Sequence, residues 1–160
     1  PKVDIVGGDI SEFIDDEENI VAYRKVPTTD GEIKNYLKKR CPFNHVAVMY
    51  KKTSVMNAGG YMDLFWNEDY YLWIRMVENG AVTANTGTIL VNVRTGKDMY
   101  KRRGGRKYFK SEKFLQKYML KHKIIGFGTY ISNVAKRFIV QVLLPNNIRG
   151  WVFKKFARRG

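Results

Sequence analysis

The chain has 160 residues, of which 44% are apolar and 14% aromatic, and it carries a formal net charge of +14. This composition excludes a disordered segment, and a single cysteine, Cys41, excludes a scaffold held by internal disulfides. No apolar run reaches the roughly 18–20 residues of a transmembrane helix, and Cys41 is predicted to be a small buried hydrophobe because no histidine–acid arrangement supports a nucleophile.

Charge is divided unevenly along the sequence. Residues 1–93 have a net charge of −3, whereas residues 94–160 have a net charge of +17. A basic half of this kind predicts a polyanionic partner, which the sequence leaves open as a nucleic acid, an anionic lipid surface or a diphosphate-bearing substrate. The chain starts at Pro1 without a signal-like leader, so we expect it to begin inside a longer protein.

The first elements form a predicted hairpin. Residues 3–14 indicate either one strand or a strand with a glycine bulge at Gly7-Gly8. An acidic turn over Asp15–Asn19 follows, and residues 20–26 return as the second strand until Pro27 stops them. The acids of the turn are expected to be solvated, although they are also suited to a cation.

A helix is predicted next, because Thr29 and Glu32 have the spacing of a capping box, and Pro42 ends it. Residues 44–50 alternate imperfectly and predict a central strand. A short helix then begins at Lys51 and closes at Gly59-Gly60.

The middle helix is predicted from Asn67, a good N-cap, with apolar residues at helical spacing from Tyr70 onward. Glu68 and Asp69 fall in its first turn, where the helix dipole favours ionised carboxylates. Such acids are ordinary capping residues, but a carboxylate there also has the properties of a general base. Residues 81–93 then predict a strand pair, or one long edge strand interrupted at Gly87.

The basic half begins with a second candidate site. Tyr100, Arg102 and Arg103 precede Gly104-Gly105, and arginine forks beside flexible backbone are suited to a diphosphate. A solvated basic surface is the alternative. Helices are predicted at about 111–123 and 129–144. A last helix over 148–159, aromatic and basic, suits either an anionic membrane interface or packing on the rest of the protein.

Three segments together resemble the second half of a family 2 glycosyltransferase: residues 41–52, residues 58–61, and residues 67–76, with the Gly-Gly-Tyr and Glu-Asp-Tyr-x-Leu-Trp motifs. The sequence is most similar to bacterial enzymes of exopolysaccharide, capsule and O-antigen assembly, including the amylovoran type. The resemblance runs from Val3 to the C-terminus. It implies an α/β fold that is the C-terminal part of a GT-A fold, with a mixed sheet and flanking helices. Residues 1–96 would be its acceptor-side portion, and residues 97–160 a basic, helical, membrane-associated extension.

The resemblance also implies a reaction, an inverting transfer of a hexose from a nucleotide-sugar donor to a saccharide or lipid-linked acceptor. Asp69 matches the general base, and Glu68 its neighbour. Asp63, Trp66, Tyr61 and His45 are expected on the acceptor side; His45, as a lone histidine, also suits a structural role, and Trp73 suits the core better than a sugar platform. A divalent cation, Mg²⁺ or Mn²⁺, is expected for the intact enzyme, with its ligands outside this chain.

Two further expectations concern the chain as a whole. Without its nucleotide-binding half it is expected to be inactive, and the intact enzyme is expected in the cytoplasm, peripheral on the inner face of the plasma membrane. The alternative is a non-catalytic basic module that binds an anionic membrane or nucleic acid. Nucleic acid is disfavoured because the aromatic residues of the basic half follow helical core spacing, not the pattern of a stacking platform on a sheet.

Overall fold

Strand β1 (Ile5–Phe13) is the centre of a four-stranded mixed sheet in the computed structural model, which describes residues 3–96, 104–145 and 148. On one side β1 pairs antiparallel with β2 (Ile20–Arg24) and β3 (Val48–Tyr50), and on the other side it pairs parallel with β4 (Thr83–Arg94). The predicted hairpin is confirmed, and its acidic tip is exposed. The predicted α/β character is confirmed with it.

Of the two predicted forms of the first strand, one continuous strand is confirmed, because the extra residues of the irregularity lie on β4, where Asn85 to Ile89 face Gly7 to Asp9 of β1. The register between β1 and β4 shifts on both sides of Asp9, and the strand continues through it. A Cβ on Gly8 would lie 2.5 Å from the Leu90 side chain of β4, so only glycine permits this close approach. On the facing strand Gly87 has a φ of +72°. The sequence predicted either a strand pair or one long edge strand here, and β4 is one long strand.

The described part of the chain contains five α-helices, α1 Asp30–Leu37, α2 Lys52–Asn57, α3 Glu68–Glu78, α4 Arg106–Lys121 and α5 Phe127–Phe138. A π-helical turn over Ile139–Leu143 extends α5. The capping box of α1 is present, since the Glu32 carboxylate accepts the Thr29 N–H at 3.2 Å. Helix α5 begins two residues before its predicted start at about 129, because Gly126 is its N-cap and Gly128 lies inside it.

The predicted central strand over residues 44–50 is wrong. The buried Asn44 side chain donates a hydrogen bond to the Gly8 carbonyl at 2.8 Å, and residues His45–Ala47 form a 3-10 turn. Only Val48–Tyr50 pair with β1, at one end of it. The turn leaves His45 exposed at the sheet end, beside the start of α3.

One hydrophobic core joins both halves of the chain. Trp73, Leu72 and Ile74 of α3 are fully buried in the same cluster as Leu115 and Met119 of α4. Placing the boundary between acceptor portion and basic extension at 96/97 stays a prediction.

Carbonyl groups at the end of α1 and in the turn that follows it are capped by side chains from distant helices. The Tyr70 hydroxyl donates to Leu37 O, the Asn133 amide donates to Lys38 O at 3.0 Å, and Arg137 Nη2 donates to Lys39 O at 2.8 Å. These bonds satisfy acceptors that a helix end leaves without an intrahelical partner, and they hold α5 against α1. None of the helices in the described ranges is long and apolar enough to cross a membrane.

Candidate functional site

Helix α3 begins where the sequence predicts, but Asn67 does not cap it with its side chain. The buried Asn67 amide donates to Ser111 Oγ at 2.9 Å, and Ser111 Oγ donates to Phe65 O at 2.8 Å. The long-range partner on α4 therefore replaces the local cap. As a result, the loop that leads into α3 is fixed against α4, and the first turn of α3 presents Glu68 and Asp69 at a defined position.

Asp69 faces His45 across the sheet end. Its Oδ1 accepts the Tyr70 N–H at 2.6 Å, and its Oδ2 lies 3.5 Å from His45 Nδ1. The two side chains are 22% and 46% exposed, so the pair is open to solvent without projecting from the surface. Hydrogen bonding to Asp69 raises the pKa of His45, and partial burial opposes this rise. The geometry is that of a carboxylate facing an imidazole ring, and the two form an ion pair when His45 is protonated.

An aromatic cluster, made of His45, Tyr50, Tyr61 and Trp73, surrounds this pair. The His45 ring stacks on Tyr61 with centroids 6.0 Å apart and planes 14° apart. Trp73 lies beneath, edge-on to His45 at 6.2 Å and to Tyr61 at 6.4 Å, and 5.6 Å from Tyr50. Trp73 is fully buried, so its interpretation as core is confirmed, while Tyr50 and Tyr61 are 38% and 44% exposed. The cluster thus has a buried floor and an open aromatic face.

Tyr61 is kept as a neutral phenol. Burial raises its pKa most, and a hydrogen bond with Tyr50 and the negative charges of Asp69 and Glu68 raise it further. A neutral hydroxyl beside an acid pair both donates and accepts hydrogen bonds, which is the property that recognition of a sugar hydroxyl requires.

Arg75 is a site-supporting residue that the sequence analysis missed. It is 5% exposed and lies on α3. Its guanidinium donates to Ala58 O and, at 2.7 Å, to Gly60 O, and it lies 4.5 Å from the centre of the Tyr71 ring. These contacts hold the glycine loop that delivers Tyr61 to the cluster. The available signal was an arginine within the apolar middle of α3, where a charge has to be paired.

The other predicted acceptor residues lie in the loop before α3. Asp63 is exposed, and Trp66 is 44% exposed with a φ of +60°. The Trp66 ring packs on Phe65 at 5.4 Å, and Lys107 of α4 lies over the Phe65 ring. The structure thus brings Asp69, His45 and Tyr61 together, whereas Asp63 and Trp66 lie exposed in the loop before α3. The candidate diphosphate residues Tyr100, Arg102 and Arg103 lie outside the described residues.

Cys41 is a structural thiol, as predicted. Burial, with the Asp69 charge as the second cause, raises the pKa of the thiol to about 12. At neutral pH it is therefore protonated and not a nucleophile.

The described residues, 3–96, 104–145 and 148, contain no cluster of three or more His, Cys, Asp or Glu side chains that could hold a metal ion. The residues described do not fit the divalent cation that the resemblance implies.

Comparison with known proteins gives three related sequences. The chain is 43% identical over 159 residues to an uncharacterized glycosyltransferase of Haemophilus influenzae, covering 99% of this chain and 58% of the relative. It is 39% identical to the Escherichia coli UDP-Gal:alpha-D-GlcNAc-diphosphoundecaprenol beta-1,3-galactosyltransferase (92% of the chain, 52% of the relative). It is 35% identical to the amylovoran biosynthesis glycosyltransferase of Erwinia amylovora (79% and 47%).

The chain spans about half the length of each of these relatives. No family profile matches it, and no solved structure matches it. The resemblance stated from the motifs is nevertheless confirmed at the level of the relatives, all three of which are named as glycosyltransferases. The chain is a homologue of bacterial glycosyltransferases of the type that builds polysaccharides and lipid-linked sugars.

Proposed function

We propose that this chain is the acceptor-side portion of an inverting, family 2 glycosyltransferase with a GT-A fold. The intact enzyme would transfer a hexose from a nucleotide-sugar to a saccharide or lipid-linked saccharide in cell-surface polysaccharide assembly. The observation that carries the proposal is the position of Asp69. It lies in the first turn of α3, partly open to solvent, beside His45, whose ring stacks on Tyr61 in the aromatic cluster.

In the proposed reaction Asp69 is the general base. The acceptor hydroxyl loses its proton to Asp69 Oδ2 as its oxygen bonds to the anomeric carbon of the donor. The bond from that carbon to the nucleoside diphosphate breaks on the opposite face, and the diphosphate leaves with the electron pair. A positioned base of this kind contributes about 10²–10⁴-fold. Oδ1 is engaged by the Tyr70 N–H, so Oδ2 is the atom that takes part.

His45 sets the state of the base. When His45 is protonated, its Nδ1–H faces Oδ2 and holds the carboxylate; when it is neutral, Oδ2 is released to accept the proton of the sugar hydroxyl. The raised pKa of His45 moves this exchange upward from the ordinary histidine range.

The aromatic face would hold the acceptor ring. Sugar rings present C–H faces that pack on aromatic side chains, and Tyr61 offers an exposed ring next to a neutral hydroxyl. Glu68 shapes the site beside Asp69, and Asp63 and Trp66 would contact the acceptor from the preceding loop.

The donor side would lie largely outside the chain. Arg102 and Arg103, with Tyr100, would contact the diphosphate. A divalent cation held by residues of the missing half would neutralise the departing diphosphate. We place the intact enzyme in the cytoplasm, peripheral on the inner face of the plasma membrane.

The test uses the intact enzyme with Asp69→Asn. This variant keeps the shape of the side chain but lowers transfer by about 10²–10⁴-fold, while donor binding measured by calorimetry stays unchanged. Asp15→Asn is the matched control, because Asp15 is an exposed carboxylate in the hairpin tip with a φ of +62°, a conformation that asparagine tolerates. Near-normal turnover of Asp69→Asn would refute Asp69 as the base, whereas an intact parent protein without transfer activity would favour the non-catalytic binding module.

A further inference from the structure

Helix α5 buries polar residues and exposes apolar ones. Its inward face carries Asn133, Arg137 and, in the following turn, Gln141, at intervals of four residues. Asn133 also donates to Gln116 Oε1 at 2.8 Å, and Arg137 pairs with the buried Glu112. An ordinary surface helix buries its apolar face and exposes its polar one. Tyr130 of α5 packs against the core, but the packing of α5 on the protein does not account for its exposed apolar residues.

Those apolar residues form a stripe on the outer face, made of Phe127, Ile131, Phe138, Ile139 and Leu143, which are 41–69% exposed. Phe138 and Ile139 follow Ile131 by seven and eight residues, and Phe127 to Ile131 and Ile139 to Leu143 are four apart. These spacings follow one side of the helix. Over 17 residues the stripe is about 25 Å long, and a helix of the length of α5 is too short to span a bilayer. The stripe is therefore suited to lie along a surface.

The charges around the stripe identify the kind of surface. Between residues 104 and 145 there are nine Lys/Arg and one acid, Glu112. Glu112 is 8% exposed and paired with Arg137. The exposed Lys and Arg residues of this segment are Arg106, Lys107, Lys110, Lys113, Lys117, Lys121, Lys123 and Lys136. Phe109 of α4 packs edge-on against Phe138 of the stripe at 5.4 Å, and Lys113 follows Phe109 by one helical turn, so the cations begin at the margin of the stripe.

We propose that α4 and α5 dock the protein on an anionic bilayer, with the stripe buried at the headgroup boundary and the surrounding lysines on the lipid phosphates. An apolar face rimmed by cations is the pattern that binds such an interface. A second copy of this chain would bring one cationic surface against another, which like-charge repulsion opposes. The proposed function places the acceptor on a lipid; vesicle binding needs no transfer, so the two proposals can fail separately.

The experiment measures co-sedimentation of the full chain with vesicles. We expect binding to phosphatidylglycerol-containing vesicles, weak binding to pure phosphatidylcholine vesicles, and a loss of the difference at high salt. The double variant Ile131→Ser with Ile139→Ser removes two half-exposed side chains of the stripe and should weaken binding at least about tenfold. The matched control is Met49→Ser with Met56→Ser, two exposed apolar residues of β3 and α2, which should bind like the parent.

A second readout locates the contact. In a Cys41→Ser background, an environment-sensitive dye on Ala135→Cys, in the outer face of α5, should shift to the blue on vesicle addition, whereas the same dye on Met56→Cys should not. Equal binding by the stripe variant and its control would overturn the proposal. It would also be overturned if the stripe variant still bound vesicles while deletion of residues 149–160 abolished binding. A third contrary result would be concentration-dependent dimers formed through the stripe without any vesicle binding.

Discussion

Replacing Arg75 by methionine tests whether a buried guanidinium holds the glycine loop of the candidate site. Methionine keeps most of the length and apolar packing of the side chain but removes both hydrogen bonds, to Ala58 O and Gly60 O. Each bond from a charged donor contributes about 1.5–3 kcal/mol, and the contact with Tyr71 adds about 0.5–1 kcal/mol. After allowance for the apolar packing that methionine retains, we expect the free energy of unfolding to fall by about 3–5 kcal/mol.

Urea unfolding followed by circular dichroism measures this loss, and the exposed Lys52→Met on α2 is a control expected to change stability by less than about 0.5 kcal/mol. Arg75→Lys should be intermediate, because one ammonium group does not reproduce a planar fork between two carbonyls. The site itself gives a second readout: in the intact enzyme the variant should raise KM for the acceptor more than it lowers kcat, since Tyr61 is displaced and Asp69 is not. A loss of stability below about 1 kcal/mol for Arg75→Met would refute the reasoning.

Two predictions concern pH. Protonated His45 holds Asp69, so the activity of the intact enzyme should rise as pH increases through the raised pKa of His45, and His45→Gln, which cannot protonate, should lose this rise. The ion pair stabilises the fold fully at pH values below the pKa that His45 has in the unfolded chain. This stability is lost as pH rises through the higher pKa of His45 in the folded protein. An NMR titration that finds no raised pKa for His45 would contradict the predictions for both activity and stability. Asp4 accepts hydrogen bonds from the Val82 N–H, Ser54 and Lys51, and the first of these contributes most to lowering its pKa. Its contribution is present above the unfolded value near 3.8 and is lost as pH falls through the lower folded value, so Asp4→Asn should be less stable than the parent at pH 6, with a difference that shrinks in acid unfolding titrations.

Local chemistry made much of the fold predictable. The capping box at Thr29 and Glu32, the hairpin of β1 and β2 and the apolar face of α3 each depend on residues close in sequence, and each is present. These features have short-range physical causes, which a pattern of residue types expresses directly.

Long-range partners account for what the sequence analysis missed. Asn44 looks like the start of a strand, but Gly8, 36 residues earlier, draws its side chain into a turn. Asn67 looks like a cap, but Ser111 takes its amide. The proximity of His45 and Tyr61 to Asp69 likewise arises from the sheet end and from Arg75, and no spacing along the chain expresses it.

The carbonyl contacts at the end of α1 have a consequence for biosynthesis. Lys38 and Lys39 receive their donors from residues 95 and 98 positions later in the chain. At about 5–20 residues per second, a ribosome adds those donors roughly 5 to 20 s after α1 has been made. Until α5 has been made, these acceptors and part of the core stay exposed on the nascent chain, so chaperones that bind early apolar surface have several seconds in which to act.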